Sequence, residues 1–414
     1  MQIPNEMLLK EVYGETEKSS QRFEKLAENY EKCFQSSQME FFSAPGRTEI
    51  VGNHTDHNGG KVIAASINMD TIGAAFPNDS KIVEIVSEGY EKRVVIDVTQ
   101  VDKVPKNHGT VSLVAGMIKA VQEFGFQISG FRAYISTEVI SSAGVSSSAS
   151  FEMLLCSMIN YFFNDGKLDY TSYAKIGQYA ENHYWDKASG LMDQMACAVG
   201  GPILLDFSED VSYEKLNFGF EDFGYRLVIV NTGKGHADLS QEYSDVPAEM
   251  KEIAKCLGVS RLAESDMETL MEKLPEILED CENDRGILRA FHFFTENDRV
   301  NQAAEAIAKG NGEKLLKILE ESGRSSWELL QNCCSLSNYK EQKITLYLAL
   351  TEFFLKKVKD GCCRVHGGGF AGVIMSIVSE KDVEAYVQYL SKFMNKENIY
   401  PLRIRKYGAV HLEK

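Results

Sequence analysis

The sequence has 414 residues, of which 44% are hydrophobic and 25% are charged, and its formal net charge at pH 7 is −16. This composition is typical of a globular protein with a sizeable core, long enough for two or three domains, and it excludes a disordered chain. The acidic surplus argues against nucleic acid as a partner, because nucleic-acid sites need clustered lysine and arginine.

The chain shows no sign of membrane insertion or export. It has no apolar run of the roughly 18 residues needed to cross a bilayer, and its first six residues lack the basic-then-apolar pattern of a signal peptide. The nine cysteines show no CxxC spacing, so we expect free thiols and no structural zinc site. We therefore predict a cytoplasmic protein with no membrane partner, and we expect a monomer.

The N-terminal half is predicted to be rich in strands. A helical period of apolar residues between about 5 and 37 predicts two amphipathic helices. Strands are predicted at 61–67, 71–76, 82–87, 93–98, 131–137 and 203–207, and helices at 111–124 and 173–184.

The C-terminal half is predicted to be rich in helices. Helices are predicted at 248–256, 267–281, 285–308, 313–321, 343–357 and 380–393, and strands at 226–231, 372–378 and 402–406. The change in composition near residue 215 predicts two domains, 1–215 and 216–414. We expect them to pack closely, with a ligand cleft between them.

The segment 42–60 between the first helices and the first predicted strand is unusually polar. It contains Arg47, His54, Asp56 and His57 among four glycines. Glycines let a backbone approach a ligand, and these side chains supply directional hydrogen bonds. The pattern predicts a pocket for a small polyhydroxylated molecule. Two alternatives are a metal site formed by the histidines and Asp56 and an ordinary solvated surface loop.

A serine-rich segment, 141–150, precedes a strongly apolar helical stretch. Small residues at the start of a helix leave its first N–H groups free, and together with the helix dipole they form an anion site. The hydroxyls of Ser146, Ser147 and Ser148 add donors and a possible magnesium ligand. A plain helix cap is the alternative. The GxxxxGK[ST] pattern is not present, so this is not a Walker-type site.

Two further segments are ambiguous on their own. Asp193 lies in Gly-Leu-Met-Asp-Gln at 190–194 and is either a helix cap or a semi-buried catalytic base. The three glycines at 367–369 precede a predicted strand and indicate either close backbone approach to a ligand or another segment, or a tight turn.

In this order, these segments resemble the signatures of the galactokinase family within the GHMP kinase superfamily. The first signature, approximately Gly-Arg-Val-Asn-Leu-Ile-Gly-Glu-His-Thr-Asp-Tyr-Asn-Gly-Gly, corresponds to 46–60 here. The phosphate-binding Gly-Leu-Ser-Ser-Ser-Ala-Ser corresponds to 144–150, and Gly-Ile-Met-Asp-Gln to 190–194. The third signature, Arg-Met-Thr-Gly-Gly-Gly-Phe-Gly-Gly, corresponds to 364–372. Residues 289–292 and 295–300 also look like a galactokinase helix. The resemblance runs from about residue 40 to the C-terminus.

The resemblance implies two α/β (α+β) domains, an N-terminal ribosomal-protein-S5-like domain and a C-terminal ferredoxin-like domain with extra helices. It implies ATP-dependent phosphorylation of the anomeric hydroxyl of D-galactose, with ATP and Mg²⁺ as cofactors. Its implied site residues are Asp193 and Arg47 for catalysis; Asn53, His54, Asp56, Gly190 and Tyr243 for the sugar; Gly144, Val145, Ser146, Ser147, Ser148 and Ala149 for the phosphates; and Ser148 and Glu181 for magnesium.

The departures from the family pattern lie mainly in the first signature. Asn53 replaces a glutamate that binds a sugar hydroxyl in galactokinases, Glu49 replaces an asparagine, and His57 replaces a tyrosine. An amide can donate as well as accept hydrogen bonds, so a kinase for a related sugar such as galacturonate is an alternative. A galactose sensor without catalysis is a third hypothesis, which the complete serine segment, Arg47 and Asp193 argue against.

Overall fold

The computed structural model describes residues 3–140, 144–185, 187, 189–233 and 239–414. Its helices are α1 Glu6–Tyr13, α2 Glu17–Phe34, α3 Thr110–Glu123, α4 Ser147–Phe163, α5 Tyr170–Tyr184, α6 Met192–Val199, α7 Ser240–Leu257, α8 Met267–Asp280, α9 Asp284–Ala308, α10 Gly312–Ser325, α11 Lys343–Val358 and α12 Val383–Leu390. Its strands are β1 Glu40–Val51, β2 Lys61–Pro77, β3 Ile82–Ser87, β4 Val94–Asp97, β5 Phe131–Thr137, β6 Pro202–Asp206, β7 Ser212–Lys215, β8 Tyr225–Asn231, β9 Cys362–Val365, β10 Val373–Ser379, β11 Ile399–Leu402 and β12 Val410–Leu412. A π-helical segment, Ser326–Leu330, follows α10.

The first sheet carries helices on both faces. Among the described residues it has eight strands, in the order β12-β1-β2-β5-β3-β4, with β6 pairing β2 and β7 pairing β6. Successive side chains of a strand point to opposite faces. Along β1, Phe41 therefore packs with the apolar side of α1 and α2, whereas Phe42 packs with α3, α4 and α5.

The second sheet has the order β11-β8-β10-β9 and is antiparallel throughout. In chain order its elements are β8, a group of helices, β9, β10, α12 and β11. This is the ferredoxin-like arrangement of two interleaved β-α-β units, with extra helices inserted after β8. It confirms the fold predicted for the C-terminal half.

A shared apolar cluster joins the two sheets. It includes Ile50 and Val51 at the end of β1, Leu227 on β8, Met375 on β10 and Val300 on α9. All five side chains are at most 1% exposed, so the end of β1 is fixed against the C-terminal half. The polar segment that follows β1 is thereby held at the junction between the sheets.

Most predicted elements are present, with three differences. The predicted strands 61–67 and 71–76 form one continuous strand, β2. The first half of the polar segment 42–60 belongs to strand β1, and only the part after Val51 forms a loop. The predicted strand at 402–406 is wrong, because β11 ends at Leu402 and Ile404 makes only an isolated bridge to Ile67.

The boundary predicted near residue 215 falls between β7 of the first sheet and β8 of the second. The C-terminal strand β12 returns to pair with β1, and the division into 1–215 and 216–414 stays a prediction. None of the helices in the described ranges is long and apolar enough to span a bilayer. All nine cysteines are free thiols, as predicted.

Asp70, on β2, is completely buried and ties both chain ends to the first sheet. Its carboxylate accepts hydrogen bonds from Arg22 of α2 at 2.8 Å, from Arg405 at 2.9 Å and from the Tyr13 hydroxyl of α1 at 2.7 Å. Burial opposes ionisation, but the two guanidinium groups outweigh it and lower the pKa of Asp70 to about 2. Arg22 also pairs with Glu138 at 3.2 Å.

The lowered pKa predicts a specific acid sensitivity. The Asp70 network stabilises the fold fully above the unfolded-state pKa near 3.8, and its contribution is lost as the pH falls from there through about 2. We expect this loss to be about 2 kcal/mol in the free energy of unfolding. When urea unfolding is measured between about pH 5 and pH 2, the free energy of unfolding should fall more steeply for the wild type than for Asp70→Asn. Equal slopes would contradict the assignment.

Candidate active site

The cleft contains an ion pair between Arg47 on β1 and Asp193 on α6. Arg47, on β1, donates from Nε to Asp193 Oδ1 at 2.7 Å and from its NH2 nitrogen to Asp193 Oδ2 at 2.8 Å. Its third nitrogen donates to the carbonyl oxygen of Gly144. This two-point contact fixes both side chains in one orientation. It brings together two residues that are 146 positions apart in the chain.

The surroundings keep Asp193 ionised. Burial raises the pKa of this carboxyl group, but the contact with Arg47 outweighs burial, and Lys187 and Ser146 add to the effect. The Ser146 hydroxyl donates to Asp193 Oδ2. As a result the pKa of Asp193 lies below its usual range. A carboxylate with these properties is a weak base at neutral pH, well suited to accept a hydrogen bond from a hydroxyl group and to orient it.

The serine segment forms the start of α4, as predicted, although residues 141–143 lie outside the described residues. Gly144 has a φ of +64°, in the left-handed region that glycine adopts without strain. Ser146 occupies the N-cap position without capping the helix through its side chain. The first N–H groups of this helix of 17 residues are therefore not capped by Ser146, and they and the dipole can bind an anion.

Ser148 and Glu181 lie beside this helix start. The Ser148 hydroxyl donates to Glu181 Oε1 at 2.9 Å, and the Lys187 ammonium group contacts the same oxygen at 2.6 Å. Glu181 Oε2 accepts from Gln194 at 3.2 Å. Hydroxyl and carboxylate oxygens beside a phosphate site are the donors that Mg²⁺ prefers. The described residues hold no cluster of three or more His, Cys, Asp or Glu side chains placed for a metal, so such an ion would also need phosphate oxygens.

The loop after β1 faces the other side of Asp193. His54, with a φ of +59°, donates from Nε2 to the Gly368 carbonyl at 2.9 Å, which leaves Nδ1 as an acceptor. Burial and the nearby His57 lower the pKa of His54 to about 4, so the ring is neutral at pH 7. Asp56 lies against Gly190, where an added Cβ would stand 2.8 Å from its Oδ2. Neutral donors and acceptors with one carboxylate suit sugar hydroxyls better than a metal.

Two glycines let side chains approach the backbone here. A side chain at Gly190 would collide with Asp56, and one at Gly368 would collide with the ring of Tyr243. The Tyr243 hydroxyl donates to the carbonyl oxygen of Gly369 at 2.7 Å. The glycine run of the third signature therefore contacts both Tyr243 and His54. It approaches another segment of the chain closely, and it also forms a turn at 367–368.

Asn53 lies in the wall of the cleft with its amide bonded to protein groups. Its Nδ2 donates to the Gly367 carbonyl at 2.7 Å and to Glu49 at 3.1 Å, and its Oδ1 accepts from Asn332 at 2.8 Å. Glu49 in turn accepts from Arg364 at 2.8 Å. The two departures from the signature, Asn53 and Glu49, thus contact each other. A direct contact of Asn53 with a sugar stays a prediction.

Helix α9 clamps this loop from behind. Glu296 accepts from the backbone N–H groups of Gly52 at 3.0 Å and Asn53 at 3.3 Å. His292 donates from Nε2 to the Asn53 carbonyl at 2.9 Å. Their spacing of four residues places both on one face of the helix. The resemblance includes this helix but does not predict that it binds the loop after β1. The signal in the sequence is the pair of polar side chains, His292 and Glu296, one helical turn apart.

A single cavity of about 1940 Å³ connects these features. Of the predicted site residues, all but Val145 and Ala149 line it, and those two side chains pack in apolar clusters. A cavity for one small ligand is typically about 300–1,000 Å³, so this one has room for two. Its lining also includes Tyr90, Arg93, Pro105, His108 and Trp185.

Comparison with protein-family models gives two matches. Residues 28–77 match the galactokinase galactose-binding signature, and residues 112–201 match the N-terminal domain of GHMP kinases. Among curated proteins, the chain is 31% identical to the galactokinase of Lactobacillus helveticus, over 89% of this chain and 93% of that protein. It is 29% identical to the galactokinase of Clostridium tetani, over 92% of this chain and 94% of that protein.

Solved structures show the same relationship. The structure of Lactococcus lactis galactokinase complexed with galactose superposes with a TM-score of 0.79 and 26% identity, covering 94% of this chain and 99% of that one. Methanococcus jannaschii mevalonate kinase superposes with a TM-score of 0.63 at 16% identity, covering 89% of this chain and 98% of that one. The second match shows that the fold is shared more widely than the sequence.

Proposed function

Because the chain belongs to the galactokinase family, we propose that its cleft transfers the γ-phosphoryl group of ATP to the anomeric hydroxyl of D-galactose. The products are galactose 1-phosphate and ADP. The observation that carries this proposal is the Arg47–Asp193 pair, which lies between the free start of α4 and the polar loop 52–60. That position is where a sugar hydroxyl would meet a phosphoryl group.

The chemistry divides between the two sides of this pair. Asp193 orients the anomeric hydroxyl and accepts its proton as the new oxygen–phosphorus bond forms and the bond to ADP breaks. Arg47 stabilises the negative charge on the transferred group and fixes Asp193. Phosphoryl transfer has a loose transition state, so positioning and charge compensation supply most of the catalysis. A carboxylate with a lowered pKa, such as Asp193, fits that role.

The start of α4 holds the triphosphate. The N–H groups of 144–148 and the serine hydroxyls bind the β- and γ-phosphates. Ser148 and Glu181 would hold Mg²⁺, which would neutralise charge on the phosphate oxygens. Lys187, which contacts Glu181 at 2.6 Å, adds a positive charge beside the same site. Tyr90 and Trp185, which also line the cavity, supply aromatic surface for the base.

The sugar occupies the opposite side, against His54, Asp56, Tyr243 and the backbone at Gly190. Asp56 accepts hydrogen bonds from hydroxyl groups, and the free Nδ1 of His54 accepts another. Asn53 braces the loop through Glu49 and Asn332. We also propose that the protein is cytoplasmic, which its nine free thiols support, and that it is a monomer. Analytical ultracentrifugation and cell fractionation would check these two points.

An ADP-release screen tests the function. Galactose, glucose, galacturonate, talose, galactosamine and N-acetylgalactosamine are offered with MgATP to the purified protein. We expect the highest kcat/KM with galactose. Strong turnover of another sugar with none of galactose would overturn the substrate. Sugar-dependent partner binding without ADP release would support the sensor instead, although the intact Arg47–Asp193 pair argues against it.

The proposed magnesium ligands give a separate prediction. Replacing Ser148 by Ala removes one oxygen ligand and leaves Glu181 in place. We expect the Mg²⁺ concentration for half-maximal activity to rise at least about tenfold, the lower end of the effects seen when metal-site partners are removed. Ser208→Ala, on the exposed surface, is the control. An unchanged magnesium dependence in Ser148→Ala would remove Ser148 from the metal site.

A further inference from the structure

His366 is a buried polar side chain that the mechanism above does not use. It follows β9 and is 2% exposed. It is one of the residues that line the cavity. Its main-chain N–H donates to the Val373 carbonyl at 3.2 Å, which fixes the backbone. The family signature has threonine at this position, so an imidazole here is a feature of this chain.

The proton of this imidazole can be assigned from its contacts. The backbone N–H of Glu49 donates to His366 Nε2 at 3.2 Å, and the Thr48 hydroxyl lies 2.9 Å from the same nitrogen. An N–H group can only donate, so Nε2 carries the lone pair and the proton of the neutral ring is on Nδ1. Burial and the nearby guanidinium group of Arg47 lower the pKa of His366 well below its usual value, which agrees with a neutral ring.

The Nδ1–H group is left without an acceptor. Within the described residues Nδ1 is fully buried and makes no hydrogen bond. Buried donors are almost always paired, and an unpaired one destabilises the state in which it occurs. An acceptor is therefore expected in the state in which the site works.

The surroundings of Nδ1 indicate what that acceptor is. An added Cβ at Gly144 would stand 3.5 Å from Nδ1, so the nitrogen lies against the first described residue of the phosphate segment. The carbonyl oxygens of Gly367 and Gly368, which follow His366 in the chain, bind Asn53 and His54 and not this nitrogen. The observed neighbour of the donor is therefore the start of the phosphate segment.

We propose that His366 donates a hydrogen bond from Nδ1 to an oxygen of the phosphoryl group during its transfer, with Nε2 held by the Glu49 N–H. The proposal rests on the proposed kinase function. The imidazole stays neutral and transfers no proton, so it acts with Arg47 by stabilising charge on the equatorial oxygens. It would be an additional catalytic residue beside the segment that leads into α4.

Two amide substitutions separate the two nitrogens. In His366→Asn the amide reaches the Nδ1 position and can still donate there. In His366→Gln the amide reaches the Nε2 position and can accept from Glu49 without a donor at Nδ1. We expect His366→Gln to lower kcat about 10–100-fold, by loss of one donor to a dispersed charge, with galactose KM within about twofold. We expect His366→Asn to retain most of the wild-type kcat.

Affinity for a transition-state mimic gives a second readout. Calorimetry with ADP, aluminium fluoride and galactose should show weaker binding to His366→Gln by about the same factor as kcat, with ADP affinity unchanged. Nitrogen-15 NMR of the wild type should show the proton on Nδ1 and a shift when the mimic binds. This measurement needs no variant.

The outcomes distinguish the proposal from a structural role and from the function itself. If His366→Asn loses activity and His366→Gln keeps it, Nε2 is the important atom and the proposal is wrong. A wild-type proton on Nε2 would also overturn it. If the wild type does not phosphorylate galactose, the proposed function fails, and mimic binding by the two variants without sugar still tests His366.

Discussion

Replacing Asp193 by Asn is expected to lower kcat about 10²–10⁴-fold, the range for loss of a positioned acid–base group. The amide oxygen can still accept from Arg47 Nε, so the helix start and the cleft should keep their shape. The amide can neither accept the hydroxyl proton nor supply the negative charge that orients it. Steady-state ADP release at saturating galactose and MgATP measures the effect.

The control for this change is Asp165→Asn, because the Asp165 side chain is 88% exposed. We expect that variant to match the wild type. In Asp193→Asn the galactose KM should change little, since the lost interaction acts mainly in the transition state. Wild-type activity in Asp193→Asn would show that the Arg47–Asp193 pair is structural and would refute the mechanism.

Replacing Glu296 by Ala is expected to lower the free energy of unfolding by about 3–5 kcal/mol, as for breaking a buried ion pair. The Glu296 side chain is completely buried and pairs with Arg299. Burial opposes its ionisation, but the neighbouring His292 and two guanidinium groups lower its pKa to about 2. Its removal leaves Arg299 and two backbone N–H groups without their acceptor.

Urea unfolding followed by circular dichroism measures this loss. Glu305→Ala is a matched control on the same helix, because the Glu305 side chain is 51% exposed and pairs with Lys309 at the surface. Surface pairs of this kind contribute about 0–1 kcal/mol. Glu296 also binds the backbone of the loop 52–60, which is proposed to bind the sugar. The galactose KM should therefore rise in Glu296→Ala. Equal free energies of unfolding for the two variants would show that the buried contacts of Glu296 do not stabilise the fold.

The residues of the site could be predicted because the signature segments keep their order and composition. Arg47 and Asp193 lie 146 positions apart, and no local pattern links them, so their pairing came from the family resemblance. The same resemblance favoured Asn53 as a sugar ligand. In this structure its amide is bonded to Glu49, Gly367 and Asn332, and that depends on Glu49, which departs from the signature as well.

Features built from distant, ordinary segments could not be predicted. Tyr90 and Trp185 lie 95 positions apart in the chain, and no local pattern shows that both line the same cavity. The segment 402–406 is predicted as a strand. In the structure the Arg405 side chain binds the buried Asp70, and its backbone binds Ser66 and Gly201 instead of extending β11. Local patterns do not register such long-range charge pairs.

The return of the C-terminal segment to the first sheet has a consequence for how the protein is made. Strand β12 covers the outer edge of β1, and Arg405 completes the partners of Asp70. Both come from residues synthesised after the whole second sheet. Domains commonly fold on the ribosome in order of synthesis, but here the first sheet keeps an open edge and an incompletely paired carboxylate until residues 405–412 have emerged. Final closure of the N-terminal half thus waits for residues 405–412, and nascent chains stalled before residue 405 should be markedly more sensitive to protease.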